Sequence, residues 1–481
     1  MHYRVVVYIQ GVILKVLAGL MLLPVLTAII YREWQGFSFV VVAAASYLIG
    51  WLLTLKKPKN FMLFAREGIV SVALAWVVIS IVGAMPFVLN HDIPYFPNAL
   101  FETISGFTTT GASILTDVEA LSHASLIWRS FTHWVGGMGV IVFMLAIVPM
   151  TGGGNAQLMR AESPGPSFGK LVPKLRQSAS ILYLIYFGLT LIQIGLLLVA
   201  KMPLFDALCM TFGSAGTGGF GVRNTSAADY TTLQQGIITV FMILFGVNFN
   251  AYYYILHREP GEAFRMEEVR WYFIIIAASI AVITLNVRSM FPSLFLAFHH
   301  SAFQVGSIIT TTGYSTVNFD EWPELSRAIL VLLMFIGACA GSTGGGIKVS
   351  RIVILVKSVY HQIVHYIHPK AVSTMKMDGR PADRETIQGV SVYLATYTFI
   401  FAASFMILTA DNRFDLETDF TAVAATLNNI GPGLGAVGPA ANFNGLNLVS
   451  KFVLMFDMLA GRLELYPMLI LFLPRIWKKH M

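Results

Sequence analysis

Charge is what this sequence has least of. Only 12% of its 481 residues are Asp, Glu, Lys or Arg, where soluble domains carry about 25%. A soluble chain of this length would need several charged shells, and the residues for them are missing. Cysteine is nearly absent too. Cys209 and Cys339 are the two in the chain, which excludes a disulfide-stapled scaffold and a cysteine metal site; both sit in apolar runs and read as buried thiols. No HExxH or other metal spacing occurs, no nucleophile or paired acid/base motif stands out, and His299 and His300 read as polar packing residues. An enzyme is therefore not expected. Disorder is excluded by 56% hydrophobic residues and a mean hydropathy of +0.70. What remains is a polytopic membrane protein.

The run from Val5 to Ile30 is too long for the apolar core of a signal peptide and ends in no small-residue cleavage site. It reads as a retained first span. Apolar stretches of bilayer-crossing length fall at about 8–30, 37–55, 68–89, 126–149, 179–200, 233–256, 271–287, 326–366 (interrupted), 387–410 and 447–474. They lack two-residue alternation, which argues against a membrane barrel. Ten helical spans and an all-α fold are expected.

Four apolar segments too short to cross lie between spans, each followed by a Gly/Thr-rich loop. They are Pro97–Phe107 then TTTGAS (108–113), Pro203–Phe212 then GSAGTGGFGV (213–222), Pro292–Ile309 then TTTGYS (310–315), and Asp419–Leu427 then NNIGPG (428–433). One glycine per loop, Gly111, Gly219, Gly313 and Gly431, marks a repeat of span, half-helix, loop and span at intervals of 108, 94 and 118 residues. Two extra spans precede it. The expected units are 1–65, then repeats at 66–176, 177–269, 270–384 and 385–481.

The formal net charge of +7 would on its own allow a nucleic-acid partner. Its distribution says otherwise. With the N-terminus cytoplasmic, 24 of the 32 basic residues fall on or near the cytoplasmic side: Arg4, Lys15 and Arg462, the blocks from Lys56 to Arg66, Arg160 to Arg176, Arg258 to Arg270 and Lys348 to Arg384, and the C-terminal tail. The surplus is an orientation signal, with both termini cytoplasmic and no nucleic acid implied. All four loops then enter from outside, where 14 acidic residues face eight basic ones. Such a rim would concentrate cations, although a plain solvated rim fits equally; Glu102 and Asp320 lie nearest the loops. Like-oriented repeats suggest an axis along the membrane normal and a central pore, unlike inverted-repeat transporters.

Irregular backbone at membrane depth survives only where protein or a watery cavity satisfies it. Glycine lets consecutive carbonyls turn toward one axis, and threonine adds uncharged oxygen. Four such loops would replace a cation's hydration shell, as a potassium filter does, with the half-helix C-termini adding negative potential. The residues before the glycines are Thr110, Gly218, Thr312 and Ile430, so a hydroxyl ring at that level would be incomplete, whereas backbone carbonyls do not depend on the side chain. The long 326–366 stretch is broken by GSTGGG (341–346). Glycine costs roughly 1 kcal/mol relative to alanine in a helix, so the helix should open there, as a gate or as a packing kink. Arg462 stands in the last apolar span near Asp457 and Glu464; an intramembrane charge faces a cavity or a partner.

TTTGAS, AGTGGFGV, TTTGYSTVNFD and NNIGPG, together with GSTGGGIK (341–348) and AGRLE (460–464), resemble the TrkH/KtrB/HKT superfamily of potassium-translocating subunits. The resemblance runs from about Arg66 to the C-terminus, and the two extra N-terminal spans favour its bacterial TrkH branch. It implies four pseudo-symmetric repeats around a pore and a potassium selectivity filter at Thr109, Thr110, Gly111, Gly218, Gly219, Thr311, Thr312, Gly313, Asn429, Ile430 and Gly431. Potassium would sit at the level of Thr110, Gly111, Gly218, Gly219, Thr312, Gly313, Ile430 and Gly431. Serine at the first filter position goes with sodium permeation in the family, so Gly111 implies potassium selectivity. The resemblance further implies a gate at Gly344, Gly345 and Gly346 with Lys348 beside it, and a pore-facing Arg462. It implies a homodimer in the bacterial inner membrane, a separate cytosolic TrkA-type ring binding NAD and ATP or ADP, and no organic cofactor in this chain.

Two soluble-enzyme patterns are coincidental. Gly216-x-Gly218-x-x-Gly221 follows an apolar half-helix rather than a strand, and Gly341 to Lys348 lacks the Walker lysine directly after its last glycine. The remaining alternative is a proton- or sodium-coupled secondary cation transporter, against which the sparse charge within the spans counts.

Overall fold

The computed structural model describes residues 2–58, 65–139, 175–369 and 374–477. The far end of the 126–149 stretch and the basic residues Lys59, Arg160, Lys170, Lys174, Lys370, Lys478 and Lys479 lie outside the described residues. Among the described residues the regular secondary structure is helical except for one hairpin, Lys376–Met377 against Arg380–Pro381. Its turn, Asp378-Gly379, has φ of 50° and 75°, the paired left-handed geometry of a two-residue hairpin.

Two N-terminal helices lead, Tyr3–Tyr31 (jointed at Met21) and Gly36–Thr54. They meet through Gly11 and Gly50. A Cβ on Gly11 would come 2.9 Å from the Gly50 carbonyl, and one on Gly50 would press on the Gly11 carbonyl. Such small-residue seams bring membrane helices into backbone contact.

Four repeats follow, each with a leading helix, a half-helix, a loop and a trailing helix. The leading helices are Ala65–Leu89, Leu175–Val199, Glu267–Val287 and Arg384–Thr409. The half-helices are Phe96–Phe107, Leu204–Gly216, Leu294–Ile309 and Leu416–Leu427. The trailing helices are His123–Gly137, Thr232–Phe245, Glu324–Ile336 and Leu448–Arg462. Sequence sets their starts: Ser122, Thr231 and Asn447 cap three trailing helices through their side chains, and Thr231 with Gln234 forms a full capping box. Each trailing helix packs on the half-helix of the next repeat, first on second, second on third, third on fourth, and fourth back on first. The repeats therefore close into a ring.

Of the ten expected helical spans, with 326–366 alone interrupted, fewer are continuous helices than the sequence suggests. Among the described residues six helices are long and apolar enough to cross a membrane, or seven if the bent pair Thr232–Phe245 and Phe249–Leu256 counts as one. The shortfall lies in the trailing helices, each of which stops at or beside a glycine: Gly137, Gly246, Gly337 and Gly461. The reason is steric. A Cβ on Gly136 would overlap the Phe107 carbonyl, and one on Gly461 the Leu427 carbonyl; these are the C-terminal turns of the first and fourth half-helices. Tight contact with the half-helix ends is obtained by breaking the helix. The second trailing helix then turns by 92°, the third opens into the Gly-rich stretch before resuming at Val349–Ile367, and the fourth continues as Tyr466–Ile470.

Gly50→Val should overpack the N-terminal seam at a cost of about 1–3 kcal/mol. The expected outcome is a lower melting temperature of the detergent-solubilised protein, with the discrimination between ions in a flux assay unchanged.

Candidate functional site

The four loops follow one backbone path. Each half-helix ends in a Schellman turn: the N–H groups of Thr110, Gly218, Thr312 and Ile430 donate to the carbonyls of Ser105, Gly213, Ser307 and Ala425 at 2.8–2.9 Å. The preceding N–H groups, on Thr109, Thr217, Thr311 and Asn429, donate to Gly106, Ser214, Ile308 and Thr426 at 3.0–3.2 Å. That turn puts Thr109, Thr217, Thr311 and Asn429 in the left-handed region, with φ of 54–60°. Glycine is the usual occupant; a β-branched residue there is strained, and strain of this kind concentrates at functional sites. Two residues further on, Gly111, Gly219, Gly313 and Gly431 are left-handed again, with φ of 78–103°.

These glycines also lock the loops together. A Cβ on Gly111 would overlap the carbonyl oxygen of Gly218, one on Gly219 that of Thr312, and one on Gly313 that of Ile430; one on Gly431 would reach within 2.8 Å of the Thr110 oxygen. The contacts run from loop to loop and return to the first. They place the carbonyls of Thr110, Gly218, Thr312 and Ile430 in one ring. None of these four oxygens accepts a hydrogen bond from the described residues, although unpartnered buried backbone is rare. All eleven loop residues singled out in the sequence thus come together. Thr217 was missed, and its register with Thr109 and Thr311 was the available signal.

The threonine hydroxyls beside the ring brace the loops. Thr110 Oγ1 lies 2.8 Å from Thr108 Oγ1, and Thr312 Oγ1 2.7 Å from Thr310 Oγ1. Thr110 Oγ1 also accepts from Asn429 Nδ2 at 2.9 Å, which joins the first loop to the fourth. In the second loop, Gly218 leaves room for the fully buried ring of His133, which any Cβ at 218 would strike. His133 Nδ1 pairs with the Gly106 carbonyl at 2.7 Å, and Nε2 accepts from Phe220 N–H at 3.1 Å. In the fourth, Asn428 pairs with Tyr397 at 2.9 Å.

Arg129 and Glu102 form a buried ion pair at 2.7 Å behind the first loop. Glu102 accepts from Ser113 Oγ and Ile114 N–H, while Arg129 donates to the Gly221 carbonyl and stacks over Phe220 at 4.1 Å. Glu102 is therefore a support of the loops and not a rim charge. Asp320 accepts from Gly435 N–H at 3.2 Å and lies 3.4 Å from Arg327, so it too is committed. A cleft opens on one side of the ring, reached by all four glycines and edged by Arg223 and Asn224.

Below the ring lies a floor. The Gly-rich stretch presses on the half-helix ends: a Cβ on Gly344 would come 2.8 Å from the Thr310 carbonyl, and one on Gly345 would overlap that of Asn428. Gly345 N–H donates to Thr311 Oγ1 at 2.6 Å, Gly346 N–H to the Asn428 carbonyl at 3.1 Å, and Lys348 Nζ back to the Gly344 carbonyl. Arg462 donates to the carbonyls of Thr343, Gly136 and Gly137, and Thr343 Oγ1 donates to that of Phe245. One chain of bonds thus joins the ends of the first, second and fourth trailing helices to the Gly-rich stretch of the third repeat. Of the carboxylates near Arg462 in sequence, Glu464 pairs with Arg351 and Asp457 accepts from Ser404.

Replacing His133 by Ala would leave the Phe220 N–H and Gly106 carbonyl without their partner, at about 1–3 kcal/mol for each buried group. A clear drop in melting temperature is expected, larger than that of a Gln replacement, which can supply both a donor and an acceptor.

The TrkH family model, described as cation transport protein, matches residues 36–479. The Trk system potassium uptake protein TrkH of Salmonella typhimurium is 36% identical over 491 residues, covering 100% of both chains. The Trk system potassium uptake protein TrkG of Escherichia coli is 33% identical, covering 99% of each. The crystal structure of the potassium transporter TrkH from Vibrio parahaemolyticus superposes with a TM-score of 0.89 at 32% identity, over 99% of this chain and 100% of that one. By sequence along nearly its whole length and by fold, the chain belongs to the TrkH family of cation transport proteins.

Proposed function

We propose that the chain moves potassium across the bacterial inner membrane through the ring of carbonyls at Thr110, Gly218, Thr312 and Ile430. The observation that carries this is the closed cycle of glycine-on-carbonyl contacts around the ring, with four buried oxygens left for a ligand that is not protein. Uncharged oxygens suit a weakly hydrated monovalent cation that must bind and also leave. The half-helices end at the ring, so their C-terminal dipoles add negative potential where the cation loses water. Thr109, Thr311 and Asn429 hold the turns that present these carbonyls, and Gly111, Gly219, Gly313 and Gly431 space them. The relatives named as potassium uptake proteins support the choice of ion.

The floor of Gly344, Gly345, Gly346, Lys348 and Arg462 acts as the gate. It is polar, glycine-rich and bonded mainly through backbone carbonyls, so it can part without breaking an apolar core. The distribution of basic residues favours cytoplasmic termini, which puts the floor on the cytoplasmic side of the ring. A cytosolic TrkA-type ring binding NAD and ATP or ADP, docking on the basic 348–384 stretch, would act on the gate in a homodimer of this chain.

The test is flux of potassium, rubidium and sodium through purified protein in liposomes at controlled potential. Gly111→Ser and Gly313→Ser place a Cβ against a ring carbonyl and are expected to lower the preference for potassium over sodium; unchanged selectivity in both sinks the filter. Arg462→Ala is expected to raise flux severalfold without altering that preference. Strict dependence on a proton or sodium gradient would replace conduction by coupled transport.

A further inference from the structure

The Gly-rich stretch leaves the third trailing helix and comes back to it. The N–H groups of Ile347, Lys348 and Val349 donate to the carbonyls of Phe335, Ile336 and Ala338 at 3.0–3.1 Å, which closes a narrow neck. One carboxylate from another helix holds both edges of that neck. Glu268, in the first turn of Glu267–Val287, is 5% exposed. Its Oε1 accepts from Ala340 N–H at 2.6 Å and from Ser350 N–H at 3.1 Å, and its Oε2 accepts from Asn248 Nδ2 at 3.2 Å. Asn248 caps the segment that follows the 92° bend in the second trailing helix. A single side chain therefore binds the start of the loop, the exit from the loop, and the break in the neighbouring repeat.

The adjacent Glu267 faces away from the loop. Its N–H donates to Asp378 of the hairpin at 2.7 Å, and its carboxylate pairs with Lys357. The same helical turn is thus fixed to the hairpin on one side and to the neck on the other.

We infer that Glu268 is the latch of the Gly-rich loop, a positioning residue that holds the loop closed by binding both its edges. Two of its three donors are backbone N–H groups at the loop's edges, and charge-assisted bonds of this kind are the strong ones. The glycines bring no side chains to pack, so the loop is held by hydrogen bonds, those of Thr343, Gly345 and Gly346 at its tip and those of Glu268 at its edges. Loss of the carboxylate frees both edges at once and shifts the loop toward the open arrangement. The inference rests on reading the loop as the gate.

The experiment is rubidium flux from proteoliposomes for the full chain and for Glu268→Gln, Glu268→Ala, Asn248→Ala and Gly345→Ala, with melting temperature and gel filtration of each. Glu268→Gln is expected to raise flux about tenfold, as the loss of a charge-assisted bond would, and Glu268→Ala to raise it further. Asn248→Ala should give a smaller rise, and potassium-to-sodium preference should stay at the starting value throughout. Folded Glu268 variants with unchanged or lower flux overturn the latch, as does altered ion preference, which would place the effect at the ring. If neither Glu268 variant folds, unchanged flux in Asn248→Ala overturns it. Gly345→Ala separates the two readings, because its Cβ would push the loop off the Asn428 carbonyl. A rise there without a rise in the Glu268 variants removes the latch alone, and no change in any variant removes the gate.

Discussion

Backbone that leaves a helix inside a bilayer loses its intrahelical partners and has no water to replace them. At the ends of its four half-helices this chain does so and answers with the same geometry each time. A left-handed residue ends the half-helix, a left-handed glycine follows two positions on, and each loop leans on the next. The fold around the ring serves that arrangement. The trailing helices stop at glycines so that they can approach the half-helix ends, and His133, the Arg129–Glu102 pair and Asn429 tie one loop to another from behind.

The site's backbone was legible in the sequence because its constraints act on single residues. Gly111, Gly219, Gly313 and Gly431 have to be glycine both for φ and for space, and the apolar half-helices before them have no other use. The broken third span showed itself through three adjacent glycines. The other breaks did not: glycines at 136–137, 246 and 461 within apolar sequence look like any packing residues, and the groups they press on, the Phe107 carbonyl, the Tyr272 hydroxyl and the Leu427 carbonyl, are remote in the chain. His133 and Glu268 were hidden for a similar reason. A histidine or a glutamate near a span end carries no local pattern, and its role exists only once Phe220 N–H or Ser350 N–H has been brought to it. Glu102 was misread because distance along the chain from a loop says nothing about which side of the loop a carboxylate occupies.

The ring and the floor are built on different rules. Around the ring the backbone is nearly four-fold, and unlike side chains are confined to the bracing layer: Thr pairs in the first and third loops, a histidine against the second, an Asn–Tyr pair at the fourth. The floor has no such symmetry. One loop from the third repeat and one arginine from the fourth reach the other two. A symmetric floor would join four like elements, whereas this one is built from the loop of one repeat and the arginine of another. On the proposed reading, selectivity and opening would fall to separate parts of the chain.

The ring closes between its first and last members. Thr110 and Asn429, which join the first loop to the fourth, are 319 residues apart, and that seam is where a Cβ would have the most room, 2.8 Å. Contacts so distant in sequence form late, and repeats emerge from the ribosome in order. The first three can dock on one another while the fourth is still being made, but the circle stays open, and Arg462 arrives with that last repeat. The last contact of the ring and the bonds of Arg462 to the floor are therefore completed in the same step of synthesis.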